Sequence, residues 1–564
     1  FYIEQLVQRI WTMKSKTMKK NYIVLAFLLT SMIYPQEGIT VAAWQEDVRF
    51  LQKKVNEQYS FLFKKISKSS FNAEIEDFYH AIPQMEQHEI VVGFSRIIAL
   101  FKYGHTRMSY GDSPVPFHSI PVEFYRFKDG VYIKSAHKDH LEIVGAKAKA
   151  IEGVGIDEVI KAVYPTVPVE NALFFDAYGL DHMTIPEVLH AQGVTSKLKK
   201  DITLTLEKDG KSFEYMLTVT TDLWPPMHYG EIKQNSDWVN QRDQSFTPYY
   251  LKNFDNIYYF DYLRDEKTVY VRHSQIQDDP KETVEDFYSR VFAMIDNNEV
   301  EKFVLDVRLN GGGNSFLNKP IITGIIANKK INRPGRFFVI TGRRTFSAAQ
   351  RLINELDNYT NVLFVGEPSS ENINFFGDNK KVVLPNSKLP VYLSFAWWQD
   401  KAQWQNADYI KPHYPIAMTY RDYITNQDPA LETILSFNPH NFTLEPVVYL
   451  LNLFDDDKIE EARKEIHHMV DEPAYAFFDF ELELSNKAFI LLGNDNNKAL
   501  FLFDLTTLAF PESQNSWVNL AQAQLEIGNY RDAKNSCEKA LLISKEGGAS
   551  NKAKRMLKEI NQKL

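Results

Sequence analysis

Apolar residues recur with three different periods along this chain, and each period predicts its own architecture. Between 43 and 115 the spacing is helical: Val48, Leu51, Val55, Tyr59 and Leu62 share one face, and Ile90, Ile97, Ile98 and Phe101 continue the pattern. From 118 to 220 apolar and polar residues alternate in short runs such as "PVEFYRF" and "GVYIKSA", which predicts a small β-rich module. Within it "GIDEVIKAV" (155–163) reads as a short helix, "KDG" (208–210) as a hairpin turn, and 165–200 as an insertion. Residues 221–257 lack either period and read as a linker. From 258 to 436 continuous apolar runs, "KTVYVRHS", "KFVLDVR", "RFFVIT" and "NVLFVG", are separated by helical stretches such as "KETVEDFYSRVFAMIDN". Strands of that kind belong to a parallel sheet covered on both faces.

The remainder, 440–564, is helical throughout. Ala499 and Ala533 are 34 residues apart, as are Leu491 and Leu525, and "NSWVNLAQAQLEIGNYRDAKNSCEKALLI" has the small residues and Gly-Asn-Tyr turn of a tetratricopeptide helix pair. The fold class expected is therefore α/β and multidomain: a helical N-terminal segment, a β-rich module, an α/β core and an all-α tail.

With 564 residues, 44% hydrophobic and 24% charged, the chain is expected to build several soluble cores. A net charge of −9 without a basic stripe excludes a nucleic-acid partner. "MKKNYIVLAFLLTSMIYPQEG" has a basic start and an apolar run from Tyr22 to about Tyr34, too short to span a bilayer comfortably. Residues 18–40 are read as a signal peptide, with an uncleaved N-terminal anchor as the alternative. The first 17 residues begin with Phe rather than Met and are read as an upstream extension. The single cysteine, Cys537, allows no internal disulfide and no cysteine-based zinc or iron–sulfur site. An exported chain of this size without disulfides points to a bacterium, in the periplasm or at the cell surface.

Three segments carry candidate chemistry. Ser347 in "TFSAAQRLINEL" follows an apolar strand and opens a helix whose buried face is Ala348, Ala349, Leu352, Ile353 and Leu356. Free amides and a positive dipole end gather there, suited to a developing oxyanion. Serine is equally a preferred helix cap, which needs no catalysis. "DVRLNGGGNS" (306–315) also follows a strand; its glycines permit positive φ and close approach to a ligand, but no Gly-Lys-Ser/Thr completes a phosphate loop. Both loops leave the carboxyl ends of strands, where open α/β sheets bind ligands. His105 in "KYGHTRM" is a possible base about 240 residues before the serine. No cofactor or metal is expected; His468 and Glu472 in "EIHHMVDE" (465–472) read as an exposed polar face, and "FAWWQDKAQW" as packing.

"LDVRLNGGGNS", "TFSAAQ", "FVGEPSS", "FFGD", "LPNS" and "DPALE", in that order, resemble the carboxyl-terminal processing (tail-specific) peptidases, the S41 family. "YGHTRM" is similar to that family's Asp-Gly-His-Thr segment. The resemblance implies a crotonase/ClpP-like catalytic core over 258–436 and a PDZ-like identity for 118–220, whose carboxylate-binding loop is not evident. It implies Ser347 as nucleophile, with oxyanion donors at Ala348 and at Gly312 or Gly313. The processing branch uses a lysine about two dozen residues after the serine; "EPSSENINFFGD" (367–378) has none, and Lys380 and Lys381 come later. The tricorn and retinoid-binding-protein-like branch uses an upstream histidine and a later carboxylate, which implies His105 as base and Asp408 as its orienting acid. "PH" at 412–413 replaces that branch's Pro-Asp. The implied function is an exported serine peptidase acting on peptides or unfolded protein, its helical tail open to a protein partner. The alternative is an inactive peptide-binding scaffold on the same fold.

Overall fold

The apolar runs of the core pair side by side in the order in which they occur in the sequence. A computed structural model describes residues 38–564, apart from 222–224, 234–236, 439–442 and 476–477. The predicted upstream extension, and all but the last three residues of the predicted signal segment, lie outside the described residues. Strands Tyr258–Leu263, Thr268–His273, Lys302–Asp306, Phe337–Thr341, Val362–Gly366 and Tyr414–Pro415 form one six-stranded sheet. The first pair is antiparallel and the other four pairings are parallel. Every residue of the four central strands is buried, because helices cover both faces. One face packs on Val284, Phe287, Val291 and Ile295 of helix Val284–Asn297 and on Leu352, Ile353 and Leu356 of helix Ala348–Tyr359. The other packs on Ala430, Leu431 and Ile434 of helix Pro429–Ser436. Each of these Val, Leu, Ile and Phe side chains stabilises the fold by about 1.5–3 kcal/mol on burial.

The alternating segment forms a second, antiparallel sheet. Its path runs Trp238–Asn240, Gly130–His137, Lys147–Ile151, Asp201–Lys208, Lys211–Thr218. The turn Asp209-Gly210 takes positive φ at both positions (52° and 72°), the geometry a two-residue hairpin requires. Trp238–Asn240 corrects the linker reading of 221–257: it pairs with Gly130–His137 and completes the sheet. Three residues are too few to show a period. The insertion at 165–200 is helical, with helices Ala172–Tyr178 and Pro186–Ala191.

A third sheet joins distant parts of the sequence. Strand Arg107–Met108 pairs with Pro390–Gln399, which pairs in turn with Asn374–Val383. The register Arg107↔Tyr392 and Met108↔Val391 brings the end of the N-terminal helical segment onto the α/β core. In the tail, Ala499 and Ala533 hold the same place in helices Asn496–Ala509 and Tyr530–Ile543, each at 0% exposure. His468 is exposed, and Glu472 accepts from the Tyr414 hydroxyl. Among the described residues no helix is long and apolar enough to cross a membrane.

Candidate functional site

Ser347 stands where strand Phe337–Thr341 has turned toward helix Ala348–Tyr359. The turn is fixed by Thr345, whose hydroxyl donates to the Val307 carbonyl (2.9 Å) and accepts from the Gly342 amide (3.1 Å). Ser347 has φ 56° and ψ −122°, and its side chain makes no capping bond. Such a conformation costs a non-glycine residue on the order of 1–3 kcal/mol and persists only where the surroundings hold it. The hydroxyl instead lies 3.0 Å from His105 Nε2, across 242 positions of sequence. Of the two uses of this serine that the sequence left open, side-chain capping is absent.

His105 is set by its neighbours in the chain. The Thr106 hydroxyl donates to Ser394 Oγ (2.9 Å) and accepts from the Ser394 amide (3.2 Å), while Asn379 Nδ2 donates to the His105 carbonyl (3.0 Å). The imidazole stacks on Phe346, with centroids 4.6 Å apart and planes 16° from parallel. Burial lowers its pKa to about 4, against the opposing pull of Glu170 and Asp378 and with a further push down from Arg107. The ring is therefore neutral near pH 7, the state a general base needs.

The carboxylate facing this imidazole is Glu371, not Asp408. Glu371 Oε1 lies 3.1 Å from His105 Nδ1, though not in line enough to form a hydrogen bond, and Oε2 accepts from the Ser347 amide. Catalytic hydrogen bonds are often this loose before substrate binds. The Glu371 side chain is 0% exposed; burial pushes its pKa well up, opposed by the Ser347 amide and the nearby Lys65 cation. Asp408 sits on an exposed loop. Its carbonyl accepts from Asn171 Nδ2 (2.8 Å) and Asn372 Nδ2 (3.0 Å), and its carboxylate lies 3.4 Å from Asn372 Nδ2. Glu371 is 24 residues after Ser347, inside the very window searched for a lysine. Lys380 and Lys381 are exposed on strand Asn374–Val383.

The glycine loop packs directly against the serine. Gly312 and Gly313 have φ of 97° and 143°, and a Cβ at Gly312 would sit 2.6 Å from Ser347 Cβ. The Gly312 amide, one of the predicted donors, is already engaged by Asn310 Oδ1 (2.9 Å). The amides of Gly313 and Ala348 donate to no acceptor among the described residues. Beside His105 opens a cavity of about 460 Å³, walled by Met108, Tyr110, Val167, Phe174, Tyr178 and Phe346. A tighter cavity of about 90 Å³ does not include Ser347 or His105 in its lining; its Arg308 and Arg343 are paired with Asp428 and Glu367. Among the described residues no group of three or more His, Cys, Asp and Glu side chains converges to hold a metal ion.

No protein-family model matches the sequence, and no curated protein is similar to it. Solved structures are. Mature CPAF is similar at TM-score 0.48 and 11% identity, over 70% of this chain and 96% of that one. The photosystem II D1 C-terminal processing protease is similar at TM-score 0.31 and 12% identity, over 66% and 92%. A putative S41 protease from Bacteroides fragilis is similar at TM-score 0.28 and 14% identity, over 58% and 82%. At TM-scores below 0.5 these likenesses decide nothing about chemistry; the residues around Ser347 must.

Proposed function

We propose that this protein is an exported serine peptidase acting through an acyl-enzyme on Ser347. The observation that carries the reading is the 3.0 Å contact between Ser347 Oγ and a neutral, largely buried His105. His105 Nε2 takes the hydroxyl proton as Ser347 Oγ attacks the peptide carbonyl, then returns it to the leaving amine as the C–N bond breaks. Water, deprotonated by the same nitrogen, releases the acyl group and regenerates the serine. Glu371 holds the imidazole orientation and stabilises the imidazolium. The free amides of Gly313 and Ala348 take the oxyanion role.

Peptides as the substrate class rest on the motif resemblance. The cavity beside His105 combines apolar walls with Arg107, Asp181 and His182 and suits a large side chain next to the scissile bond. Export rests on the basic-then-apolar segment at 18–34, and the helical tail is the surface proposed for a protein partner. An inactive scaffold would have no use for a strained serine whose hydroxyl is turned away from capping and onto a histidine.

The test is hydrolysis of an unfolded, reduced protein, with the new N-termini identified by mass spectrometry. The wild type is expected to generate peptides and Ser347→Ala none. Equal cleavage by both would assign the activity to a contaminant.

A further inference from the structure

We propose that Glu170 is a positioning residue for the Ser347 site: its carboxylate bridges the segment that carries His105 to the loop that carries Glu371. The inference rests on the peptidase reading above. Glu170 belongs to the helical insertion of the β-rich module, just before helix Ala172–Tyr178, and is buried. One oxygen accepts from the Gly104 amide (3.1 Å), next to His105; the other accepts from the Asn372 amide (3.0 Å), next to Glu371. Its neighbour Asn171 ties the same loop to a later one, its Nδ2 donating to the carbonyls of Ser369 (3.2 Å) and Asp408 (2.8 Å). The base and its orienting carboxylate come from segments more than 260 residues apart, and this one side chain spans both.

The bridge needs two acceptor oxygens, so it needs the ionised form. Protonation leaves one of the two oxygens a weaker acceptor that carries a hydrogen, and an amide replaces that oxygen with a donor. The charged and titratable groups around Glu170 are Lys65, Tyr103, His105 and Glu371. Lys65 reaches in from the surface, its Nζ donating to the Lys102 carbonyl (3.0 Å) and to Asn372 Oδ1, and it faces Lys102, Asp408 and Glu371. Burial and the adjacent Glu371 push the Glu170 pKa up to about 8, against the pull of Lys65 and the Asn372 amide. Falling pH therefore protonates Glu170 and opens the bridge, while His105 remains neutral down to about pH 4.

The experiment measures the rate of Ser347 acylation by an activated ester in wild type and Glu170→Gln, at pH 6 and pH 9. Gln stands in for the protonated acid. The expected result is near parity at pH 6 and a loss of about tenfold at pH 9, because the wild-type rate rises through pH 8 and the variant's does not. Lys65→Met, by removing the nearby cation, is expected to move that rise to higher pH. Equal rates at both pH values would overturn the proposal. So would the same fractional loss at both, with a matching fall in Tm, since that describes a residue that only supports the fold. Amide hydrogen exchange at pH 9 gives a readout independent of activity: Glu170→Gln should expose both Gly104 and Asn372. Unchanged protection there would overturn the bridge even in an active enzyme. Lost protection in a protein that never acylates would keep the bridge and reject the peptidase.

Discussion

At the scale of single residues, the account turns on the protonation of His105. Its pKa of about 4 lies below the ordinary histidine value because a charged ring is costly in this buried position. The sign of the consequence is fixed. Below the step near pH 8 that Glu170 sets, acylation should hold a lower plateau through mildly acidic pH and collapse as pH falls through about 4, when the ring takes up a proton and can no longer accept one from Ser347. Stability should fall over a wider range, from about pH 6.5 downward, because the unfolded chain binds that proton first. A pH–rate profile with its acid limb near 6.5 would show that His105 is not buried as described. Glu371→Gln, which removes the charge and keeps the shape, is expected to lower acylation by about 10²–10⁴-fold, the range over which an orienting acid acts. Asp408→Asn is expected to leave it nearly unchanged, and the pair of variants compared by acylation rate tests the reassignment.

At the scale of elements, much was legible because hydrophobic period is a local signal. Strands Lys302–Asp306, Phe337–Thr341 and Val362–Gly366 and helix Val284–Asn297 coincide with apolar runs and a one-faced stripe. Elements stabilised by partners rather than by their own pattern were not legible. Trp238–Asn240 is a strand only because Gly130–His137 lies beside it. Glu371 escaped for a related reason: nothing in "PSSEN" distinguishes a buried carboxylate from an exposed one, and its burial is created by His105, Ser347 and Glu170 arriving from elsewhere. The missing lysine in that window was the available clue. The choice between Gly312 and Gly313 was not legible because the donors of a glycine run depend on which way each peptide plane turns, and the Gly312 amide is the one engaged by Asn310. Gly312→Ala is expected to reduce acylation strongly and destabilise the fold by more than about 1 kcal/mol, since its Cβ would meet Ser347 Cβ at 2.6 Å and φ is 97°. Thermal unfolding and acylation measured together check this; a fully active, stable variant would contradict the packing.

At the scale of the whole molecule, the site is assembled from three parts of the chain that the sequence presented as separate modules. His105 comes from the end of the N-terminal helical segment, Glu170 from the β-rich module's insertion, and Ser347 and Glu371 from the α/β core. Each contributes a buried polar group, so the site and the fold are expected to fail together when a joint between parts is cut. The joint at the far end of the core is Lys302. Its buried Nζ donates to the carbonyls of Ile434 (3.0 Å), Leu435 (2.7 Å) and Phe437 (3.0 Å), closing helix Pro429–Ser436 just before the tail. Lys302→Met leaves those carbonyls without a donor and is expected to cost about 2 kcal/mol by denaturant unfolding. A variant as stable as wild type would show that water replaces the ammonium.

The central claim is that residues this far apart in sequence activate one serine. The most direct measurement is labelling with a fluorophosphonate, followed by digestion and mass spectrometry to locate the adduct. The account predicts a single adduct on Ser347 in the wild type, none in Ser347→Ala, and a greatly slowed reaction in His105→Ala. An adduct on another residue, or an unreactive Ser347 in folded protein across pH 6 to 9, would contradict it.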